Sequence, residues 1–70
     1  MQIVPPIRVR QLAEAFVIED GAGVALAFVY FDDDANRRDL TRRLTKTDAG
    51  EAAKIMAAAI RESLLKGGAQ

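Results

Sequence analysis

Three consecutive carboxylates, Asp32, Asp33 and Asp34, are the residues of this 70-residue chain whose type and spacing could hold a metal ion. Carboxylate oxygens are the hard ligands that magnesium and calcium prefer. The spacing argues against that use, because no turn glycine and distal glutamate of a calcium loop follow, and successive residues at a strand end point in different directions. We interpret them as a strand terminus and as ionic partners for nearby arginines, with no metal and no cofactor.

Other catalytic groups are also missing. The chain contains no cysteine and no histidine, which excludes a thiolate nucleophile, a disulfide framework and a histidine-based triad. A chain of this length buries only about 60% of its unfolded surface, which leaves little room for a cleft that could raise a carboxyl pKa. Residues 21–23 are not a phosphate loop, because no Lys-Ser/Thr follows and the next element is a predicted strand. We therefore expect that the protein is not an enzyme.

The arginines form the second set of candidate site residues. The chain has zero net charge, but residues 37–46 carry five basic side chains and one acidic side chain, a local charge of 5 − 1 = +4. This cluster could bind an anion or a nucleic acid together with the arginines of the first predicted strand, and the candidate patch is Arg8, Arg10, Arg37, Arg38, Arg42 and Arg43. The zero net charge favours the alternative, in which these arginines neutralise neighbouring aspartates.

The alternation of residue types predicts the strands that must position these groups. Residues 7–11 alternate apolar and polar side chains, which indicates a half-buried strand. Residues 16–19 and 24–31 are rich in β-branched and aromatic side chains, and they flank residues 20–23, whose two glycines supply the positive φ angles of a short reversal. A β-hairpin is therefore predicted, and pairing with the first strand makes a meander over 7–31.

The second half of the chain is predicted to be helical. Residues 34–44 have an acidic start, a basic end and two leucines four apart, which suits one or two helical turns or a structured loop over 35–44. Thr45 and Asp48 have capping-box spacing, so a long helix is expected from Lys46 to about Lys66, ending at the following glycines. The predicted buried stripe of this helix contains Ala49, Ala52, Ala53, Met56, Ala59, Ile60 and Leu64.

These elements predict an α+β fold of the order β-β-β-α, in which a three-stranded antiparallel β-meander is followed by one long C-terminal α-helix packed across one face. Residues 1–6 are expected to be an extended tail because Pro5 and Pro6 exclude a helix start. Residues 7–66 form a single domain. Residues 67–70 are expected to be a disordered C-terminal tail.

The strand over 24–31 is apolar on both of its alternating faces. We expect its even-numbered residues to face the helix, which leaves the odd-numbered set as the candidate self-association surface: Ala25, Ala27, Val29 and Phe31. A lone helix covers only one face, so the other needs the proline tail, the Leu40/Leu44 segment or a second copy of the chain. The alternative is that a few small apolar residues are simply tolerated in water.

The chain also resembles a family of short uncharacterised bacterial proteins. The resemblance lies in Pro5-Pro6, in the hairpin that ends in the run 26–31, in Arg37-Arg38 and in the Leu-Thr-x-x-Asp-Ala helix start at 44–49, and it covers residues 5 to about 60. The family often has an aromatic residue after the prolines and arginines after the helix-start alanine, where this chain has Ile7, Gly50 and Glu51. The resemblance implies this domain layout and a bacterial, cytoplasmic origin, and it carries no activity.

We therefore expect a non-catalytic interaction module that forms a homodimer through the 24–31 strand. Another protein partner stays open, and so does the alternative of a nucleic-acid-binding module that uses Arg8, Arg10 and the 37–46 cluster. The first residues of the chain show neither a charged leader nor a long apolar run, so no membrane segment is expected and a cytoplasmic location is predicted.

Overall fold

The computed structural model describes residues 2–67 and contains three strands and two helices. In chain order these are β1 (Arg8–Gln11), β2 (Ala15–Glu19), β3 (Ala25–Tyr30), α1 (Ala35–Thr41) and α2 (Lys46–Gly67). The strands form one antiparallel sheet in the order β1-β2-β3, and α2 packs against all three of them. The predicted α+β fold is confirmed, and residues 35–44 contain a helix.

The ends of the chain differ slightly from the prediction. Gly67 is the last residue of α2, and the remainder of the predicted disordered tail, residues 68–70, lies outside the described residues. At the other end, the described part of the proline tail is bonded to the hairpin turn: the N–H of Val4 donates to Asp20 Oδ2 at 3.3 Å, and the N–H of Gly21 donates to the carbonyl of Val4. Ile3 packs against the core. The tail is therefore an integral part of the domain.

Asp20 organises the turn between β2 and β3. Asp20 is 2% exposed, and its Oδ1 accepts hydrogen bonds from the N–H groups of Ala22 and Val24, both at 2.9 Å. Of the two turn glycines only Gly23 has a positive φ, at 84°. Gly21 is required for a different reason, because a Cβ there would overlap the backbone carbonyl of Pro5. One glycine serves the turn, and the other serves the approach of the tail.

The core is small and lies between the sheet and α2. Its buried residues are Ile7, Ile18, Ala53 and Ala57, none more than 3% exposed. Alanines at four-residue spacing keep the buried side of α2 shallow, so the helix axis can approach the larger side chains of the sheet closely. The result is a two-layer domain whose helix sits tightly on one face.

The predicted buried stripe of α2 is partly wrong. Met56 is 39% exposed and Ala59 is also exposed, whereas Ala57, which the prediction omitted, is fully buried. The observed buried side runs through Ala49, Ala53 and Ala57 and continues to the half-buried Ile60 and Leu64. The error is a rotation of the helix about its axis, because a helix with many apolar residues has more than one plausible buried stripe.

The tight contact between α2 and the sheet predicts that Ala53 does not tolerate a larger side chain. Ala53→Leu should lower the free energy of unfolding by about 1–3 kcal/mol, because a fully buried and close-packed site must shift to accept three more carbon atoms. Urea denaturation followed by circular dichroism measures the change. Ala58→Leu, at an exposed position of the same helix, is the control and should change stability by less than about 0.5 kcal/mol. Equal effects at both positions would contradict the close packing.

Candidate functional site

Strand register determines which side chains share each face of the sheet. Ile18 on β2 pairs with Val9 on β1 and Ala27 on β3, and these residues face α2. Val17 pairs with Arg10 and Phe28, and these residues lie on the opposite side. We call that opposite side the open face; its residues are Arg8, Arg10, Ala15, Val17, Glu19, Phe28 and Tyr30. None of the described helices packs on it.

The predicted self-association surface is on the wrong face. Ala27 and Val29 are half-buried and pack against the core under α2, and Phe31 is 8% exposed with its ring centroid 5.4 Å from that of Phe16. Of the four predicted residues only Ala25 is exposed. The side chains alternate as predicted from Ala27 to Phe31, but in this segment the odd-numbered residues, not the even-numbered ones, face the helix.

A register shift also affects the end of β3 next to the hairpin turn. Ile18 pairs with Ala27 but Glu19 pairs with Ala25, so Leu26 is the extra residue of a bulge. Leu26 packs against the core together with Ala27. This irregularity could not be seen in the strict alternation of residue types.

The most apolar part of the open face is a pair of aromatic side chains at the β3 end. Phe28 and Tyr30 are 48% and 51% exposed, and their rings stack with centroids 6.1 Å apart. The guanidinium of Arg43 lies 4.9 Å from the centroid of the Tyr30 ring, a cation–π distance, and it also forms an ion pair with Glu14 at 3.6 Å. We call Phe28 and Tyr30 the aromatic pair.

Part of β3 is a sheet edge with which no other segment of residues 2–67 pairs. The N–H of Phe31 donates to Glu14 on the β2 side, whereas the N–H of Asp32 donates to the carbonyl of Leu44 on the other side. Leu44, which forms an isolated parallel bridge with Phe31, therefore covers the edge just beyond Tyr30. We call the uncovered part, residues 25–29, the free edge; because bonding directions alternate along a strand, the backbone of Phe28 points away from β2.

The two edges of the sheet differ in charge. β1 carries Arg8 and Arg10, and like charges on an edge strand oppose pairing with a second copy. Residues 24–31 contain no charged side chain and no proline. The free edge of β3 therefore lacks the charged side chains and prolines that usually prevent edge-to-edge contact.

The candidate arginine patch is divided among acidic partners. Arg10 donates two hydrogen bonds to the Glu19 carboxylate, at 3.1 and 2.8 Å, on the open face. Arg37 Nε donates to Asp32 Oδ2 at 2.9 Å, and Arg38 Nη1 donates to the carbonyl of Asp32 at 3.1 Å. For Arg37 the predicted alternative, neutralisation of a neighbouring aspartate, is confirmed. Arg10 is paired with a glutamate across the strand, and Arg38 bonds a backbone carbonyl.

The remaining arginines do not complete a continuous basic surface. Arg8 and Arg10 lie on β1, two strand spacings or about 10 Å from β3, beyond which the 37–46 cluster begins. Arg42 ends α1 in the left-handed conformation, with φ 58°, and its N–H donates to the carbonyl of Arg38. Only Arg43 reaches the aromatic pair.

Each carboxylate of the Asp32–Asp34 run has a separate structural role. Asp32 is 5% exposed and accepts from Arg37 and from the N–H of Asp34. Asp33 accepts from the N–H of Lys46 at 2.9 Å, at the start of α2, and Asp34 caps α1. Residues 2–67 contain no group of three or more acidic side chains that could hold a metal ion. The run joins β3 to both helices.

The capping box predicted at the start of α2 is confirmed in part. The N–H of Asp48 donates to Thr45 Oγ1 at 3.2 Å, which is one half of the predicted capping box. Asp33 supplies a second acceptor from outside the helix, at Lys46. This tertiary cap could not be found from the local sequence, because it is 13 residues away.

The contacts of Asp32 and Asp20 lower their pKa values. The hydrogen bond from Arg37 is the main cause for Asp32, and the hydrogen bond from the backbone of Val24 is the main cause for Asp20. A carboxyl whose pKa is lower in the folded state stabilises the fold above its unfolded pKa of about 3.9. That stabilisation is lost as the pH falls through the lower, folded pKa.

We therefore expect acid to destabilise the domain through Asp32. Asp32→Asn should lower the melting temperature at pH 7, because the charged partner of Arg37 is removed, and it should also reduce the loss of stability between about pH 5 and pH 2. Thermal melts at several pH values, followed by circular dichroism, measure both effects. Asp39→Asn, on the exposed side of α1, is the matched control. An unchanged acid dependence in the Asp32 variant would show that the ion pair is not the cause.

Comparison of the chain with protein-family models, curated proteins and solved structures finds no match. The resemblance to short bacterial proteins stays a prediction. None of the helices within residues 2–67 has the length and hydropathy that crossing a lipid bilayer requires. Function is therefore inferred from the surface chemistry of the fold.

Proposed function

We propose that this chain is a non-catalytic interaction module that self-associates into a homodimer through the free edge of β3. The observation that carries the proposal is the contrast between the two sheet edges: β1 carries two arginines, whereas residues 24–31 carry no charge. An uncharged edge with unpaired backbone groups is the usual template for pairing with another strand.

The other segments that could have covered β3 lie elsewhere. The proline tail is bonded to the hairpin turn at Asp20 and Gly21. Leu44 covers only the chain beyond Tyr30, and Leu40 in α1 is 84% exposed and packs against no other helix or strand of the described chain. Residues 25–29 keep their unpaired side, which supports a second copy of the chain as the partner.

A two-fold axis through the free edge gives a simple geometry. Two copies of β3 would pair antiparallel and extend the sheet from three strands to six, with both α2 helices on the same side. The aromatic pairs of the two copies would then be neighbours on the open face, where each buries apolar area that is half exposed in one chain. Antiparallel pairing of an uncharged strand with itself creates no like-charge contact.

The proposal predicts that a charge on the free edge weakens the dimer. Phe28→Lys should raise the dimer dissociation constant at least about tenfold, because each copy loses half of the roughly 1.5–3 kcal/mol of a fully buried aromatic side chain and two lysines approach across the axis. Phe28 is 48% exposed, so its replacement spares the core. Sedimentation equilibrium measures the change as a shift from about twice the chain mass of 7.6 kDa toward that mass.

Gln11→Lys is the matched control. It adds the same charge at an exposed position of β1, on the opposite edge of the sheet, and should leave the dimer unchanged. A wild-type protein that sediments as a monomer at millimolar concentration would overturn the proposal. Equal weakening by both variants would place the contact elsewhere.

A second candidate function is binding of single-stranded nucleic acid on the open face. The specific observation is the stacked aromatic pair with Arg43 against Tyr30, since exposed aromatic rings beside a guanidinium are a platform on which bases stack. The acidic residues Glu14 and Glu19 lie among these groups and weaken the charge complementarity. We therefore rank this function second.

This candidate function predicts weaker nucleic-acid binding when one ring of the aromatic pair is removed. Tyr30→Ala should weaken binding of a fluorescent single-stranded oligonucleotide at low salt about fivefold or more, because one stacked base is worth about 1–3 kcal/mol. Fluorescence anisotropy measures the affinity. Leu65→Ala, at an 87% exposed site on α2, is the control and should have no effect. Absence of binding by the wild-type chain at low salt removes this candidate.

A further inference from the structure

Helix α2 has a second apolar side that the domain leaves uncovered. Met56 is 39% exposed and Ile55 is 70% exposed, and the alanines beside them are half-buried or exposed. These residues recur at helical spacing along one flank of α2. We call this flank the side stripe; it consists of Ala52, Ile55, Met56, Ala59 and Ser63.

The contacts of α2 show on which side of the domain the side stripe lies. On the opposite flank Arg61 donates to the carbonyl of Ile7 at 2.7 Å, at the start of β1. The groove between α2 and β1 is lined by Val9, Lys46 and Lys54 among other residues. At 100° per residue, the side stripe is turned away from this flank and therefore toward β3. The side stripe and the free edge thus lie on the same side of the domain.

The area of the free edge alone is small for a specific dimer. Five residues of strand are about 17 Å long and about 10 Å deep, so edge pairing engages about 170 Å² of each copy, whereas a standard interface buries about 800 Å² per partner. Residues 48–66 of α2 span about 28 Å, and a strip about 10 Å wide adds about 280 Å² per copy. Both layers together reach the size of a small, reversible interface.

Charge and side-chain size along α2 match an antiparallel copy of the same helix. Asp48 and Lys66 are 18 residues apart, which is five full turns, so both point in the same direction, between Ile55 and Ala59 on the outer part of the side stripe. In an antiparallel pair centred at residue 57, Asp48 of one copy lies opposite Lys66 of the other. The same centring places Ile55 opposite Ala59, a large side chain against a small one. Lys66 also pairs with Glu62 in its own helix.

One symmetry axis can serve both layers. Ala53 and Ala57 pack with Ile18 in the core, and Ile18 pairs with Ala27 at the middle of β3. The middle of α2 is therefore level with the middle of the free edge. An axis that passes between two copies of β3 at this point also passes between the centres of the two helices.

We propose that the side stripe of α2 is the second layer of the dimer interface, where it packs against the side stripe of a second copy in antiparallel orientation. This inference rests on the proposed self-association through β3 and adds to it the helix contact, its orientation and its centre. The resulting dimer has two layers throughout, with a six-stranded sheet beneath a pair of helices.

Cysteine cross-linking tests the helix contact directly, because the wild-type chain contains no cysteine. Met56→Cys lies on the side stripe near the expected axis, and Lys54→Cys lies at an exposed position on the opposite flank, toward β1. Treatment of each purified variant with a short bis-maleimide, followed by denaturing electrophoresis, should give at least tenfold more cross-linked dimer for the Met56 variant. The product should decrease when Phe28→Lys is combined with Met56→Cys.

The outcomes separate the two proposals. If sedimentation shows a wild-type dimer that Phe28→Lys weakens, but the two cysteine variants cross-link equally, the helix contact is wrong and the proposed function stands. If Met56→Cys cross-links selectively but Phe28→Lys has no effect on the dimer, the helices associate without β3 and the proposed edge pairing is wrong. A wild-type monomer overturns both.

Discussion

The packing of small alanine side chains against the sheet is the contact on which the rest of this structure depends. Ala53 and Ala57 are fully buried, so α2 lies close to Ile18 and its neighbours and covers one face of three short strands. A single helix cannot also cover the open face or the edge of β3. The open face and the edge of β3 therefore stay accessible for interactions because the core of so short a chain is small.

Carboxylates hold the connections of the fold in place. Asp20 bonds the hairpin turn and the proline tail, and Asp32, Asp33 and Asp34 bond an arginine and the starts of both helices. The aspartates at 32–34, whose residue types are those of a metal site, therefore accept hydrogen bonds from backbone N–H groups and from Arg37. Because these carboxylates bond groups of the fold itself, their role is structural.

The proposed dimer follows from an asymmetry between the two sides of the domain. The β1 side has arginines on its edge and lysines beside its groove with α2. The β3 side has an uncharged edge, an aromatic pair below it and the side stripe of α2 above it. A partner that satisfies backbone groups and covers apolar area on this side needs the same chemistry that this side itself presents, and a second copy supplies it.

The element order, the hairpin, the start of α2 and the absence of cysteine and histidine chemistry can all be predicted from the amino-acid sequence. These features depend on local patterns: alternation in the strands, glycines at the turn and the Thr45 cap. Two features could not be predicted in this way: Ala27 and Val29 face the helix while Phe28 and Tyr30 face solvent, and Ala57 rather than Met56 is buried. The reason is physical: alternation and helical spacing define which residues share a face, but when both faces are apolar, only packing and register select the one that is buried.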